Sequence, residues 1–202
     1  MGAQRVRRYL LGYLMMNDLS DPSARDKPLP SVVDSRTVYE GKVVSLRVDR
    51  ISLPDGRTAT REVVEHPGAV VVAAVDAGGN IVLVSQYRHP LRDYLLELPA
   101  GGLEPEEDPA HAAKRELREE VGLEAKTWVH LGHFYSSPGF ANERLEAFLA
   151  TDLTEVGDDP DDDEDLEVVG LPLADLLHHP ERIFDAKTLA TLLLVQKHLA
   201  RS

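Results

Sequence analysis

Residues 101–123 read GGLEPEEDPAHAAKRELREEVGL, and no other stretch limits the possible folds so tightly. Asp108 supplies an N-cap oxygen, Pro109 suits a first helical turn, and Gly122 suits a left-handed stop, so a helix is predicted between them. At 3.6 residues per turn, Ala110, Ala113, Leu117 and Val121 share a face that has to be buried. Glu116, Glu119 and Glu120 fall on the adjoining face within about 100° of arc, while Lys114 and Arg118 point toward water. Whatever the fold, it must cover one side of this helix and leave room beside it for a dense carboxylate stripe. Carboxylates that close repel one another and raise each other's pKa unless a cation sits between them. Oxygen ligands of this kind suit Mg²⁺ or Mn²⁺, hard ions usually bound alongside phosphates. In isolation the same face reads as a solvated surface laced with ion pairs, with Arg115 four residues before Glu119.

Around that helix the pattern is mostly strands. Residues 1–34, with prolines at 22, 28 and 30, are expected to be a disordered leader. The start, MGAQRVRRYLLGYLMM, sets basic residues ahead of a short apolar run. Gly12 and Tyr13 interrupt that run and no clear small-residue cleavage site follows, so export is disfavoured. From Thr37, TVYEGKVVSLRVDRISL alternates apolar and polar residues, and Pro54-Asp55-Gly56 turns into TATREVVEH. GAVVVAAVD and NIVLVSQYRH are two apolar strands joined near Ala77-Gly78-Gly79, and YLLELPAGG leads into the helix. WVHLGHFYSSPGF and RLEAFLATDL are predicted as further strands. Leu173–His178 is expected to form a short helix and Asp185–Leu199 a longer one, with Leu189, Leu192, Leu193 and Leu199 inward. Strands flanked by late-arriving helices, without regular βαβ alternation, predict an α/β sandwich on a mixed β-sheet. The expected division is a leader over 1–34, a small N-terminal antiparallel strand unit over 35–66, and a main domain over 67–202.

Composition narrows the function classes. The chain has 35 acidic and 22 basic residues and a formal net charge of −13. Seven of the acids lie in Gly101–Leu123 and eight in Asp158–Glu167, so the charge is local and points to divalent cations. A nucleic-acid surface would need a basic patch instead. No window approaches the length of a membrane span. The absence of cysteine excludes disulfides, thiol nucleophiles and zinc–thiolate sites, and fits a cytoplasmic protein. None of the eight histidines has metal spacing, and all eight are taken as structural.

The longer pattern decides between the two readings of the helix. Gly101, Glu107 and the run Arg115-Glu116-Leu117-Arg118-Glu119-Glu120-Val121-Gly122-Leu123 fill every constrained position of the Nudix box. The chain therefore resembles the Nudix hydrolases, which cleave a nucleoside diphosphate linked to another group. That resemblance implies an α/β/α sandwich for residues 67–202. Arg61-Glu62, Gln86-Tyr87-Arg88, Leu98-Pro99-Ala100-Gly101, Pro138 sixteen residues after Gly122, and Glu164-Asp165-Leu166-Glu167-Val168 resemble the ADP-ribose pyrophosphatase branch.

The resemblance implies Mg²⁺-dependent (or Mn²⁺-dependent) hydrolysis of ADP-ribose to AMP and ribose 5-phosphate, by a homodimer with exchanged N-terminal strands. Glu116 and Glu120 would be the main metal ligands, with Glu119 assisting and the Ala100 carbonyl completing the shell. Arg115 would orient the carboxylates through Glu119. The attacking water's base would come from the acidic loop 158–165, with Glu164 as base or mobile metal ligand and Asp162 second. Arg88 would bind phosphate or stack on adenine, although it also reads as a strand-end surface arginine. Arg61 resembles a residue that reaches the adenine pocket from the partner subunit, Glu143 would accept from ribose hydroxyls, and Phe140 could wall the pocket. Rival readings are a Nudix hydrolase for another nucleoside diphosphate sugar or a dinucleotide, and a non-catalytic ADP-ribose sensor. Sensors of that kind usually lose box carboxylates, which this chain retains.

Overall fold

The structure, a computed structural model, describes residues 28–157 and 166–201. Its residues group into two compact units: residues 48–61 with the described part of 1–36, and residues 37–47 with 62–201. Strands β1 (Ser31–Glu40), β2 (Ser45–Ser52) and β3 (Thr58–Glu65) are hydrogen-bonded in sequence order in one sheet. The predicted turn at 54–56 forms. Gly56, at φ +83°, donates to the Leu53 carbonyl at 2.9 Å, and the Asp55 carboxylate accepts from the Arg57 amide at 3.0 Å. β1 begins at Ser31, inside the stretch expected to be leader.

Among the described residues, two further sheets, three α-helices and a short 3-10 helix (Pro180–Arg182) make up the rest. β4 (Ala69–Ala74), β7 (Ala100–Gly102), β8 (Leu123–Tyr135) and β9 (Arg144–Glu155) form a four-stranded sheet in the order β7-β4-β9-β8. It is mixed, because β4 runs parallel to β9 and antiparallel to β7. β5 (Asn80–Arg88), β6 (Asp93–Glu97) and β10 (Leu166–Pro172) form a second, antiparallel sheet in the order β10-β5-β6. The helices are α1 (Pro109–Val121), α2 (Leu173–His178) and α3 (Ala186–Leu199).

β4 shows why this stack forms. Its AVVVAA run is apolar throughout, so a strand of it can satisfy both faces only when covered on both sides. Val70, Val72 and Ala74 pack with Ala112, Ala113, Leu117 and Val121 of α1, whereas Val71 and Ala73 pack with Leu192 and Val195 of α3. Each fully buried valine contributes roughly 1.5–3 kcal/mol of transfer free energy. α1 is bounded as its sequence predicts: the Asp108 carboxylate accepts from the Ala110 and His111 amides, and Gly122 closes it at φ 65°. The buried face of α3 differs from the expectation. Thr188, Thr191, Leu192 and Val195 are buried, while Leu193 and Leu199 are exposed. The inward stripe follows the 3.6-residue period set by Leu192 and therefore takes in two threonines in place of the outer leucines.

Candidate active site

The first half of the site is the carboxylate face of α1. Val121, Leu117 and Ala113 anchor the helix on β4, and the 3.6-residue period then sets Glu116 and Glu120 against the β7 strand. Both are nearly buried, at 8% and 4% exposure, whereas the Glu119 side chain is 41% exposed. Arg115 gathers this face. Its Nη1 donates to Glu116 at 2.7 Å and to Glu119 at 3.0 Å. Nε and Nη2 grip Glu107 at 3.0 and 2.9 Å, and Nη2 also reaches the Gly102 carbonyl at 3.1 Å. The hydrogen bonds to Glu107 hold the guanidinium firmly protonated, and in return keep the Glu107 carboxyl below the usual carboxylate range.

β7 lies directly beneath these acids. The Ala100 amide donates to Glu120 Oε2 at 3.0 Å. Gly101 lies so close to Glu116 that an added β-carbon would fall inside the 3.0 Å limit that real β-carbons respect, against the carboxyl carbon and both oxygens. Only glycine lets this carboxylate rest on the strand. Three carboxylates (Glu107, Glu116, Glu119) thus share one guanidinium, and with Glu120 on the Ala100 amide beside them the formal local charge is −3, from four negatives and one positive. Among the described residues, no three acidic or histidine side chains already close around one point, because Arg115 holds Glu116 and Glu119. Excess negative charge, an all-oxygen donor set and the cradle over Gly101 fit a hard divalent cation.

The second half is a cleft of about 470 Å³ lined by, among others, Ala100, Gly101, Arg88, Glu97, Glu143 and Lys187. Glu97, 1% exposed at the end of β6, takes Arg88 Nε at 2.7 Å and Nη2 at 2.5 Å, and also Lys187 Nζ from the first turn of α3. Burial pushes the Glu97 carboxyl up, but the two cations outweigh it and hold the group below the usual range. Asp185 caps α3 through the Thr188 amide and hydroxyl, and Thr188 Oγ1 accepts from the Leu98 amide at 2.9 Å. His66 also lines the cleft. Its Nδ1 accepts from the Gly68 amide at 3.0 Å, so the neutral ring carries its proton on Nε2. Glu143 lies 3.8 Å from the same Nδ1, which that acceptor role makes a neighbour and not an ion-pair partner.

The structure brings most of the expected residues together. Arg115, Glu116, Glu119 and Glu120 form one cluster on α1, and Ala100, Arg88 and Glu143 line the cleft. Arg115 does more than work through Glu119, because its widest grip is on Glu107 and it also holds Glu116. Phe140 is 59% exposed on the 137–141 turn, whose Phe140 carbonyl takes the Val64 amide. Arg61 is exposed in the other compact unit and donates to the carbonyl of its neighbour Thr60 at 2.8 Å. Glu164 and Asp162 lie outside the described residues. Glu97, Asp185, Lys187 and Thr188 had no signal in the sequence beyond being polar residues in apolar surroundings. His66, expected to be merely structural like the other histidines, is part of the cleft wall.

Comparison with known proteins agrees with this architecture. The NUDIX domain family model matches residues 64–192, and a nucleoside diphosphate sugar hydrolase N-terminal domain matches residues 31–64. An ADP-ribose pyrophosphatase of Bacillus subtilis (strain 168) is 44% identical over 155 residues, covering 75% of this chain and 84% of that one. An ADP-ribose pyrophosphatase of Mycobacterium tuberculosis is 49% identical over 126 residues, covering 62% of this chain and 61% of that one. A crystal structure of an ADP compounds hydrolase superposes with a TM-score of 0.75 at 24% identity, covering 86% of this chain and 95% of that one, a likeness of fold.

Proposed function

The chain belongs to the Nudix hydrolase family, and on that premise we propose that it is an ADP-ribose pyrophosphatase, hydrolysing ADP-ribose to AMP and ribose 5-phosphate with Mg²⁺ as the ion. The observation that carries this reading is the carboxylate face of α1 resting on Gly101, a residue that also lines the cleft walled by Arg88 and Glu143. The names of the two relatives at 44% and 49% identity support ADP-ribose as the substrate. Nudix hydrolases generally use divalent metal ions. Here Glu116, Glu119, Glu120, the Ala100 carbonyl and, from the acidic run 158–165, Glu164 would hold the cation. When bound, it offsets the negative charge that grows on the pyrophosphate oxygens during attack by water.

The chain's own groups do the rest. Arg115 donates to both Glu116 and Glu119 and so fixes the two carboxylates on one face of α1, which lowers the reorganisation needed when the site fills. Arg88 offers guanidinium N–H groups to phosphate, and Glu143 accepts from ribose hydroxyls. Glu164 takes the proton of the attacking water, with Asp162 in support. Phe140, exposed and not among the residues lining the cleft, keeps its role as a pocket wall on the family resemblance alone. Arg61 stays a substrate contact on the family resemblance alone.

All ten residues of β1 are exposed, including Val32, Val33, Val38 and Tyr39, so among the described residues the strand buries neither face. A homodimer with exchanged N-terminal strands would cover it. Among the described residues, no helix is long and apolar enough to cross a membrane. The test is kcat/KM across ADP-ribose, GDP-mannose and NADH. ADP-ribose is expected to lead, and a higher value for either of the others overturns the substrate assignment.

A further inference from the structure

Arg88, Glu97 and Lys187 come from β5, β6 and the start of α3, and Glu97 and Lys187 are 90 residues apart in the chain. Their meeting has a stereochemical consequence. Glu97 occupies Nε and one hydrogen of Nη2 of Arg88. A guanidinium has five N–H donors in a planar fork, so both Nη1 hydrogens and the second Nη2 hydrogen lie on the edge turned away from Glu97. The Arg88 side chain is 37% exposed in the wall of the cleft. That remaining edge is the one that matches two phosphate oxygens side by side.

Charge decides whether the edge is useful. Arg88 and Glu97 alone would be a neutral pair, with little net attraction for an anion. Lys187 adds a second cation to the same Glu97 oxygen, so the three groups sum to +1, two positives less one negative. Asp185, 3.1 Å from Lys187 Nζ, brings the four groups to zero, so that losing Lys187 would leave Arg88 in a cluster of net charge −1, which repels phosphate. The Thr188 hydroxyl, donating to Asp185 and accepting from the Leu98 amide, ties the helix end to the residue beside Glu97 and fixes Lys187 over it.

We propose that Lys187 is a positioning residue for substrate: by sharing Glu97 and pairing Asp185 it offsets the two acids around Arg88, so that the outward edge of Arg88 meets a phosphate group in the cleft without net repulsion. This inference rests on the cleft being the nucleoside diphosphate site.

The test uses the full chain with ADP-ribose as substrate and ADP as competing ligand. Lys187→Met, Lys187→Arg, Arg88→Ala and the double variant Arg88→Ala/Lys187→Met are compared, with thermal melting as the check on folding. Lys187→Met is expected to raise KM and the inhibition constant of ADP about tenfold, the scale of one lost charged hydrogen bond, at nearly unchanged kcat. Lys187→Arg is expected to bring both back to within about threefold of wild type, since charge and donors return. The double variant is expected to be no worse than Arg88→Ala, because Lys187 acts through Arg88. Should Lys187→Met fail to fold, Lys187→Gln takes its place with the same expectation. A wild-type KM in the folded Lys187 variant, or multiplied effects in the double variant, would overturn the inference alone. A wild-type protein that neither binds ADP nor cleaves ADP-ribose would overturn the reading of the cleft, and this inference with it.

Discussion

Gly101→Ala separates catalysis from stability in one step. The added methyl would sit within 3.0 Å of the carboxyl carbon and both oxygens of Glu116. To regain an ordinary contact of 3.4 Å or more, the carboxylate has to retreat by roughly 1 Å or more, and a misplacement of that size costs about 10²-fold in rate. Gly101 is not among the residues with positive φ, so alanine brings no backbone strain there. The obstacle is the far end of a flexible side chain, so the cost in stability sits at the low end of overpacking, about 1 kcal/mol. For a chain of this length that lowers Tm by about 2–4 °C. Steady-state hydrolysis of ADP-ribose over a Mg²⁺ titration is expected to show kcat down about a hundredfold and half-saturation moved to higher Mg²⁺. A folded variant with wild-type kcat and wild-type Mg²⁺ dependence would refute the idea that Glu116 works from its place on Gly101.

Four further outcomes follow from the same geometry. Glu120→Gln should keep the fold and lower kcat by about a thousandfold, as expected when a carboxylate of the charge clamp is lost, measured by single-turnover hydrolysis. Glu97→Leu strands Arg88 and Lys187 without their shared anion and should cost about 3 kcal/mol in denaturant unfolding, the low end for a broken buried pair because Arg88 reaches solvent. Glu107 and Glu97 are held below the ordinary glutamate value of 4.5, so the stability they contribute is complete above pH 4.5 and is lost as the pH falls below it. Arg115→Ala should remove the share contributed by Glu107, so that the melting temperature is lower than wild type at neutral pH and falls less steeply down the acid limb. Glu164→Gln should cut kcat with little change in KM, and Asp162→Asn should cost less. The reverse order would exchange the roles given to these two residues.

How far the molecule could be read from its sequence depended on the range of each interaction. Asp108, Pro109 and Gly122 act within a turn of their own positions, so the limits of α1 were legible, and with them the convergence of Glu116, Glu119 and Glu120. The AVVVAA run was legible as an apolar strand, and only the structure shows α1 and α3 covering its two faces. β8 was read only from Trp128, yet it starts at Leu123 directly after Gly122 and absorbs a bulge between His130 and Gly132. A bulge shifts the alternation that marks a strand, which hides its true length. The face of α3 was misjudged because Thr188 and Thr191 are polar by composition, and only the tertiary partner Leu98, 90 residues away, shows why Thr188 is buried. Glu97 looked like one more acid in YLLELPAGG. Its meaning depends on Lys187, 90 residues later, a separation no local pattern can encode. His66 was passed over for the same reason, since its place in the cleft wall is set by residues far along the chain.

The central claim is that this carboxylate-lined cleft cleaves the pyrophosphate bond of ADP-ribose with a divalent cation. Mass-spectrometric identification of the products from ADP-ribose, with Mg²⁺ and with a chelator, tests it most directly. The expected result is AMP and ribose 5-phosphate in equal amounts with Mg²⁺ and intact ADP-ribose with the chelator. Release of ADP and free ribose, or hydrolysis that survives the chelator, would contradict it.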